Sequence, residues 1–382
     1  MNKVKNLGQV YTRNDIVKSM LSLRKNKGSI LEPSAGDGSF YNILGNSCDY
    51  IEIDSSNYKK GYKIMDFFDY SINIKYNTIV GNPPYVSFKN ILKETLDKIS
   101  SLDYLNGYDK RTNLYMFFIR KCIEHLNEGG ELIFITPREF IKNTSSIPLN
   151  KFIYDNGTIT DWIEYGDEMV FDKFSPNVVV WRFEKGNFDR DTKLKNGEIK
   201  KFNCLNGQLC FTNEIYDVNF SDLFFVKVGG VSGNDKIFKN ENGNKDFVCS
   251  YTNKTGELKR MFYNIKHPIL EDHKEELLSR KIKKFTENNW WLWGRNFYES
   301  NEKRIYVNCK TRDKKPFFTN DCKNFDGSVL GIFPKKDIDL EKAITMLNSV
   351  DWDDLGFKIG GRFCFSQKSL ENILLPKQFG KL

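Results

Sequence analysis

Residues 77–85 read Asn-Thr-Ile-Val-Gly-Asn-Pro-Pro-Tyr, a short apolar run that ends in a rigid turn. The run itself predicts a buried strand. Because Pro84 has no N–H, the carbonyl of Pro83 is left as an acceptor beside the side-chain carbonyl of Asn82. Two fixed acceptors can take both hydrogens of an aromatic amino group, and Tyr85 adds a flat face for the ring. An ordinary rigid turn is the alternative reading of this tetrapeptide alone.

The composition predicts a folded protein of two domains. The chain has 382 residues and 40% hydrophobic content, against a prior of ~150 residues per domain. The sequence contains neither a signal peptide nor an apolar stretch of the roughly 20 residues needed to span a bilayer, so we expect a soluble, cytoplasmic protein without a membrane partner. The eight cysteines form no C-x-x-C pair and there are three histidines, so neither a disulfide framework nor a metal site is expected.

Short apolar runs alternate with helical patterns through the first 185 residues. This alternation predicts an α/β, Rossmann-like domain with a mostly parallel sheet. The predicted strands lie at residues 30–31, 50–54, 78–80, 131–136 and 177–183, and a helix at 115–126 has Asn113 as its N-cap.

Composition changes after residue 185, where Lys, Asp, Asn and Gly dominate. We therefore divide the chain into a domain at 1–190 and a mixed α+β domain at 191–382, which contains a helix near 269–284. Most of the net charge of +8 lies in the second half, which favours a polyanionic partner there.

The residues after the first predicted strands could hold a nucleoside. Gly36 and Gly38 lie in a small-residue loop that lacks the third glycine of the dinucleotide signature. Glu52 could accept hydrogen bonds from both hydroxyls of a ribose, and Ile53 could pack on a purine. The segment 66–67, Asp-Phe, could do the same for a purine amino group and ring. Each residue alone is more often a surface acid or a core apolar residue, but their order at successive strand ends favours a site.

These motifs resemble those of the TaqI-like group of DNA N6-adenine methyltransferases, which use S-adenosylmethionine. Gly8-Gln9-Val10-Tyr11-Thr12 resembles the opening motif of the group, and residues 31–38 match its first cofactor motif. The order of motifs is that of the gamma arrangement, with the cofactor motifs first, then the catalytic tetrapeptide, then a target-recognition domain. The resemblance implies Glu32 near the cofactor's ammonium group. The implied cofactor-binding residues are Thr12, Glu32, Ser34, Ala35, Gly36, Asp37, Glu52, Ile53, Asp66, Phe67 and Asn82.

The resemblance also implies the catalytic residues, which are Asn82, Pro83, Tyr85 and Phe171. In this family an aromatic residue before the 177–183 strand stacks on the flipped base, and Phe171 lies at the matching distance. In the second domain, residues 226–238 and 356–363 resemble the first and last segments of a target-recognition domain. Basic and aromatic residues alternate between them, and the expected DNA-binding residues are Trp291, Arg295, Lys310 and Arg312.

The activity implied is transfer of a methyl group to N6 of a flipped-out adenine in double-stranded DNA, within a restriction-modification system. A monomer is expected, and a separate cognate restriction endonuclease is a further partner that fits this role. The alternatives are a methyltransferase that acts on RNA, on cytosine N4 or on a protein glutamine. A non-catalytic DNA-recognition subunit is disfavoured by the intact residues 82–85. An NAD-dependent oxidoreductase is disfavoured by the missing third glycine.

Overall fold

The structure is a computed structural model that describes residues 12–165, 170 and 177–382. The chain forms two compact units. The first runs to Asn213 and also includes Asp354–Gly361, whereas the second comprises Glu214–Asp353 and Arg362–Leu382. Among the described residues, no helix combines the length and the apolar character needed to cross a membrane.

A ten-stranded sheet forms the centre of the first unit. Its strands are β1 (Ile30–Glu32), β2 (Asp49–Glu52), β3 (Tyr62–Ile64), β4 (Tyr76–Gly81), β5 (Leu126–Pro137), β6 (Gly157–Glu164), β7 (Val178–Lys185), β8 (Asp191–Leu194), β9 (Ile199–Leu205) and β10 (Gln208–Phe211). Their order in the sheet is β10-β9-β8-β6-β7-β5-β4-β1-β2-β3. Strands β3, β2, β1, β4 and β5 are neighbours in that order and run parallel to one another. Strand β7 is antiparallel to both β5 and β6. The predicted α/β class with a mostly parallel sheet at its start is confirmed.

Helices cover the sheet because their apolar faces need burial. They are α1 (Asn14–Ser22), α2 (Tyr41–Leu44), α3 (Lys93–Ser100), α4 (Leu114–His125) and α5 (Ile147–Asn156). Short 3-10 turns lie at Gly45–Ser47, Ser55–Asn57, Phe67–Asp69, Phe88–Asn90, Asp103–Leu105, Arg138–Ile141 and Thr144–Ser146. The predicted N-cap of α4 is confirmed, since the side chain of Asn113 accepts a hydrogen bond from the backbone N–H of Tyr115. Ile119, Cys122 and Ile123 on this helix are fully buried.

The predicted boundary lies at residue 190, whereas the first unit extends to Asn213, which is 23 residues further along the chain. Strand β8 pairs in parallel with β6, which brings the polar segment after residue 190 into the sheet. The apolar side chains of Phe202 and Leu209 then join the same core as Trp162. Composition misplaced the boundary because most of β8 and β9 is solvent-accessible, so that only single residues of each strand are buried.

A later segment also returns to the first unit. Residues 356–361, which resemble part of the closing segment of a target-recognition domain, belong to this unit together with β19 (Lys358–Ile359). Nη1 of Arg138 donates to the carbonyl of Gly356 at 2.9 Å, and Nζ of Lys142 lies 4.4 Å from the ring centroid of Phe357. Tertiary contacts of this kind leave no periodic trace in the sequence.

The second unit mixes short strands and helices, as predicted. Its strands are β11 (Tyr216–Asn219), β12 (Phe224–Val228), β13 (Lys245–Phe247), β14 (Lys259–Met261), β15 (Ile305–Asn308), β16 (Lys310–Thr311), β17 (Phe317–Phe318), β18 (Val329–Pro334), β20 (Arg362–Cys364) and β21 (Leu374–Pro376). Its helices are α6 (Phe220–Leu223), α7 (Asp235–Phe238), α8 (Thr252–Thr255), α9 (Pro268–Glu271), α10 (Lys274–Leu278), α11 (Leu340–Ser349) and α12 (Gln367–Glu371), with a 3-10 turn at Lys377–Lys381. The antiparallel order β12-β18-β15-β17 forms its main sheet.

The predicted helix near 269–284 is wrong in its length. The chain forms the two short helices α9 and α10 instead, and it leaves helical geometry after Leu278. The reason is the side chain of Arg280, which is buried and donates to the carbonyls of Leu277 and Trp290 as well as to that of Ser232. These bonds hold the following segment against the core of the unit.

Candidate cofactor pocket and catalytic turn

An open pocket with about 920 Å³ of space lies where β1, β2 and β4 end. The carboxyl ends of parallel strands share one edge of a sheet, which is where open α/β folds bind ligands. All eleven residues predicted to bind a cofactor line this pocket: Thr12, Glu32, Ser34, Ala35, Gly36, Asp37, Glu52, Ile53, Asp66, Phe67 and Asn82.

The loop after β1 brings its backbone close to the pocket. The N–H of Gly36 donates to Oε2 of Glu52 at 2.7 Å, which ties this loop to the end of β2. Gly38 has a φ of +86°, which a residue with a side chain rarely adopts. A Cβ at that position would also collide with the side chains of Lys59 and Tyr62. The backbone angle therefore favours glycine here, and a side chain would also displace Lys59 or Tyr62.

Glu32 is a buried carboxylate that forms no ion pair among the described residues, although the charge of Lys59 acts on it from nearby. It ends β1, is 2% exposed, and its Oε2 has no hydrogen-bond partner among the described residues. Burial raises the pKa of Glu32 well above its ordinary value, and the nearby Asp37 and Glu52 raise it further. A buried carboxylate of this kind is stabilised by a cation placed beside it. Glu32 therefore suits a ligand that carries an ammonium group.

Glu52 is already engaged in the protein's own hydrogen bonds. Its Oε1 accepts from the backbone N–H of Asp54 at 2.7 Å, and its Oε2 accepts from Gly36. Burial raises the pKa of Glu52, although these backbone donors oppose the shift. Each carboxylate oxygen has a second lone pair, so both oxygens can still accept from two hydroxyl groups. Ile53, beside it, is 43% exposed and presents an apolar surface to the pocket.

Asp66 and Phe67 form a buried end of the pocket. Oδ1 of Asp66 accepts from the backbone N–H of Phe68 at 3.0 Å, and its Oδ2 accepts from Oγ1 of Thr95 at 2.8 Å. Nζ of Lys98 lies 3.5 Å from the same Oδ2. The ring of Phe67 is buried within the core. The carboxylate is thus oriented from two sides before any ligand binds.

One wall of the pocket was not predicted from the sequence. Its apolar side chains are Ile91, Leu92, Leu114 and Phe118, and Thr95 adds a hydroxyl. The spacing of buried residues on α3 and α4 could have predicted that these helices pack on the sheet. It could not have predicted that they border the ligand pocket, since no motif marks residues 91–118.

The tetrapeptide follows β4 directly and reaches the pocket through Asn82 and Pro84. Nδ2 of Asn82 donates to Oγ1 of Thr12 at 3.1 Å, and the backbone carbonyl of Asn82 accepts from Oγ of Ser34 at 3.2 Å. Since the amide nitrogen is the donor to Thr12, Oδ1 is the acceptor end of this side chain. Asn82 and Pro84 line the pocket, whereas Pro83 is buried beside them.

Tyr85 lies outside the pocket lining and is held by the core. Its hydroxyl donates to the carbonyl of Ile135 at 2.9 Å, and its ring meets that of Tyr115 edge-on with centroids 5.9 Å apart. Burial raises the pKa of Tyr85 well above its ordinary value. The remaining predicted base-stacking residue, Phe171, lies outside the described residues, as do the predicted motif residues 8–11.

The predicted DNA-binding residues of the second unit lie at its surface to different degrees. Arg295, Lys310 and Arg312 are exposed, and Trp291 is half-buried with Nζ of Lys266 lying 5.3 Å from its ring. The neighbouring aromatic residues Trp290 and Trp293 are core residues, each 1% exposed. Of the three tryptophans in this segment, Trp290 and Trp293 thus belong to the core, whereas Trp291 remains partly accessible.

The fold and the pocket together define an α/β protein with an open pocket at the carboxyl ends of its parallel strands, beside an Asn-Pro-Pro-Tyr turn. Residues 16–171 match the Eco57I restriction-modification methylase family. The chain is 29% identical to the type II methyltransferase M.HindII of Haemophilus influenzae over 87% of its length and 79% of that protein. It is 35% identical to the type II methyltransferase M.HincII of the same species over 51% of its length and 42% of that protein.

Solved structures share the fold at low sequence identity. The type IIL restriction-modification enzyme MmeI in complex with DNA matches with a TM-score of 0.64 and 11% identity, over 97% of this chain and 64% of that one. A DrdV–DNA complex matches with a TM-score of 0.50 and 14% identity, over 87% of this chain and 49% of that one. The chain is thus similar to the Eco57I restriction-modification methylases and to type II methyltransferases.

Proposed function

We propose that the chain is a TaqI-like, sequence-specific DNA methyltransferase that modifies N6 of adenine within a restriction-modification system. The position of Asn82 supports this most directly. Its side chain lines the same pocket as the ten other cofactor-binding candidates, so an amino group bound at Asn82 would lie beside the cofactor. The family match to restriction-modification methylases adds DNA as the substrate.

The residues of the pocket fit S-adenosylmethionine, which supplies an activated methyl group on a sulfonium when bound. Glu32 would hold the ammonium group, because its Oε2 lacks a partner among the described residues. Glu52 would hold the ribose hydroxyls, and Ile53 would pack on the adenine ring of the cofactor. Asp66 would accept from the amino group of that adenine, with Phe67 beside the ring.

Asn82 and Pro83 would act on the target amine by accepting its two hydrogens. The amino lone pair of adenine is delocalised into the ring, and two acceptors would favour a more tetrahedral, more nucleophilic nitrogen. The bond from Nδ2 of Asn82 to Thr12 fixes the amide orientation in advance. Catalysis would then come from positioning and electrostatics. A strong base is unnecessary, because the methylated amine becomes acidic.

Tyr85 and Phe171 would hold the flipped adenine between them. A base inside the duplex is out of reach, so the enzyme must extrude it at a cost of a few kcal/mol. Stacking on an aromatic side chain stabilises the extruded base by about 1–3 kcal/mol. The hydroxyl of Tyr85 is anchored to Ile135, so the ring can serve as a fixed platform.

The second unit would recognise double-stranded DNA through Trp291, Arg295, Lys310 and Arg312. Three of the four are exposed and cationic, which suits contacts with phosphates and base edges. We propose that the enzyme acts as a monomer in the cytoplasm and that a separate endonuclease cleaves the unmodified sequence. One catalytic unit and one recognition unit are sufficient for methylation of one strand.

The test is methylation of unmodified genomic DNA. The purified protein is incubated with S-adenosylmethionine, and the product is sequenced by a method that distinguishes N6-methyladenine from N4-methylcytosine. Marks on adenine at one short sequence are the expected result. Methyl marks on cytosine would show that the target is cytosine N4 and not adenine N6. Cofactor binding without any DNA mark would refute the proposal in favour of an RNA or protein acceptor.

A further inference from the structure

Arg295 has a side chain that is fixed along one edge and exposed at the other. Its Nε and Nη2 donate to the carbonyl of Gly229 at 3.3 and 3.0 Å. Its backbone forms an antiparallel bridge with Val231, with N–O distances of 2.8 and 3.0 Å. Among the described residues, no carboxylate forms an ion pair with Arg295. The guanidinium is therefore oriented by a neutral acceptor and keeps its full charge available.

The acceptor that holds Arg295 is itself rigid. A Cβ at Gly229 would collide with the backbone of Asp326, and one at Gly230 would lie within 3 Å of the ring of Trp293. Trp293 is a core residue whose Nε1 donates to the carbonyl of Phe262 at 2.8 Å. The backbone at Gly229 and Gly230 thus packs closely against the core, so the orientation of the guanidinium does not depend on a flexible loop.

The other arginines of the second unit lack this combination of features. Arg280 and Arg304 are buried and donate to backbone carbonyls. Arg260 is exposed but forms an ion pair with Asp246 at 2.7 Å. Arg312 and Arg362 are exposed, and within the described ranges no side-chain hydrogen bond or ion pair orients either guanidinium.

A glycine, Gly327, lies beside the exposed side chain of Arg295. A Cβ at Gly327 would lie 3.8 Å from Nη2 of Arg295, so a larger residue there would cover that nitrogen. The carbonyl of Gly327 accepts from Sγ of Cys309 at 3.6 Å, and the next residue, Lys310, is exposed. Lys310 thus adds a positive charge near the same surface, where a phosphate could bind.

We infer that Arg295 reads a guanine in the DNA sequence that the enzyme recognises, which deepens the proposed function and depends on it. Arginine has five N–H donors. The carbonyl of Gly229 takes one from Nε and one from Nη2, which leaves three donors. Two of these, one on Nη1 and one on Nη2, form the outer pair. That pair matches the O6 and N7 acceptors of guanine in the major groove, whereas adenine offers a donor at the equivalent position. A pre-oriented fork also loses little freedom on binding.

The test compares methylation specificity among four proteins: the wild type, Arg295→Lys, Arg295→Gln and the control Arg260→Gln. Each modifies a randomised DNA library in the presence of S-adenosylmethionine, and sequencing then gives the relative rate for every base at every position. We expect a G·C pair in the wild-type sequence at which both Arg295 variants lose about 5- to 150-fold of discrimination. The other positions should keep their preferences, and Arg260→Gln should match the wild type.

Two results would overturn the inference while leaving the proposed function intact. One is a wild-type recognition sequence without a G·C pair. The other is an unchanged base preference in both Arg295 variants, whether or not their rates fall, because a phosphate contact lowers all rates alike. Should Arg295→Gln fail to fold, Arg295→Lys, which keeps length and charge, decides alone. A wild-type protein that marks no DNA would instead refute the proposed function, and the inference with it.

Discussion

Replacing Thr95 by valine should weaken cofactor binding without touching the catalytic tetrapeptide. Thr95 is 6% exposed, and its hydroxyl donates to Oδ2 of Asp66 at 2.8 Å. Valine keeps the shape of threonine but removes that donor. A hydrogen bond to a charged group contributes about 1.5–3 kcal/mol, which corresponds to roughly 10- to 150-fold in Kd. Lys98, at 3.5 Å from the same oxygen, retains part of the stabilisation, so we expect a loss near 10-fold.

The assay is calorimetric titration with S-adenosylhomocysteine, supported by the dependence of the rate on S-adenosylmethionine concentration. The Kd and KM of Thr95→Val should rise, while kcat at saturating cofactor stays near the wild-type value. Thr95→Ser should restore most of the affinity because it restores the donor. Thr345→Val is a matched control, since among the described residues that hydroxyl bonds to one partner, the carbonyl of Glu341 on its own helix. A folded Thr95→Val protein with wild-type Kd would refute the assigned role of Asp66.

Three further predictions concern the catalytic turn and the core. Asn82→Ala should lower kcat by roughly 100-fold or more with little change in the Kd for S-adenosylhomocysteine; equal losses in both would contradict the acceptor role. Tyr85→Ala should reduce extrusion of a 2-aminopurine placed at the target position, measured by its fluorescence, whereas Tyr85→Phe should retain it; wild-type capture by the alanine variant would exclude stacking. Arg182→Met removes the guanidinium that lies 2.7 Å from the buried carboxylate of Glu131. The free energy of unfolding, measured with denaturant, should therefore fall by about 3–5 kcal/mol. The control Arg13→Met, at an exposed ion pair, should cost about 1 kcal/mol or less, and equal losses in the two variants would contradict the argument.

Acid should remove the stabilisation that Glu131 provides. Burial would raise the pKa of Glu131, but the N–H groups of Asn26 and Lys25 and the side chain of Arg182 outweigh it, so the pKa is lowered. A carboxyl with a lowered pKa in the folded state stabilises the protein above its unfolded pKa and loses that effect as the pH falls through the folded value. Glu131→Gln should therefore flatten the acid limb of the unfolding free energy measured against pH. An acid limb as steep as that of the wild type would show that other carboxyls govern it.

The boundary between the units shows where sequence patterns are insufficient. Composition assigns residues 191–211 to the second domain, because β8 and β9 bury only single side chains such as Phe202. Their membership in the first sheet depends on pairing with β6, thirty residues earlier in the chain, and on the packing of Phe202 and Leu209. Likewise, the two tryptophans at 290 and 293 look the same in sequence as Trp291, and only packing separates core from surface.

The sequence alone predicts the α/β class of the first unit, the positions of its early strands and, through the motifs that resemble a known family, eleven of the residues that line the pocket. It could do so because parallel strands bring their carboxyl ends together, which makes the end of each apolar run a reliable marker. Only the tertiary structure decided that α3 orients Asp66 through Thr95, that segment 354–361 belongs to the first unit, and that Gly229 holds Arg295. Each of these depends on contacts between residues far apart in the chain, for which no local spacing or composition provides a signal.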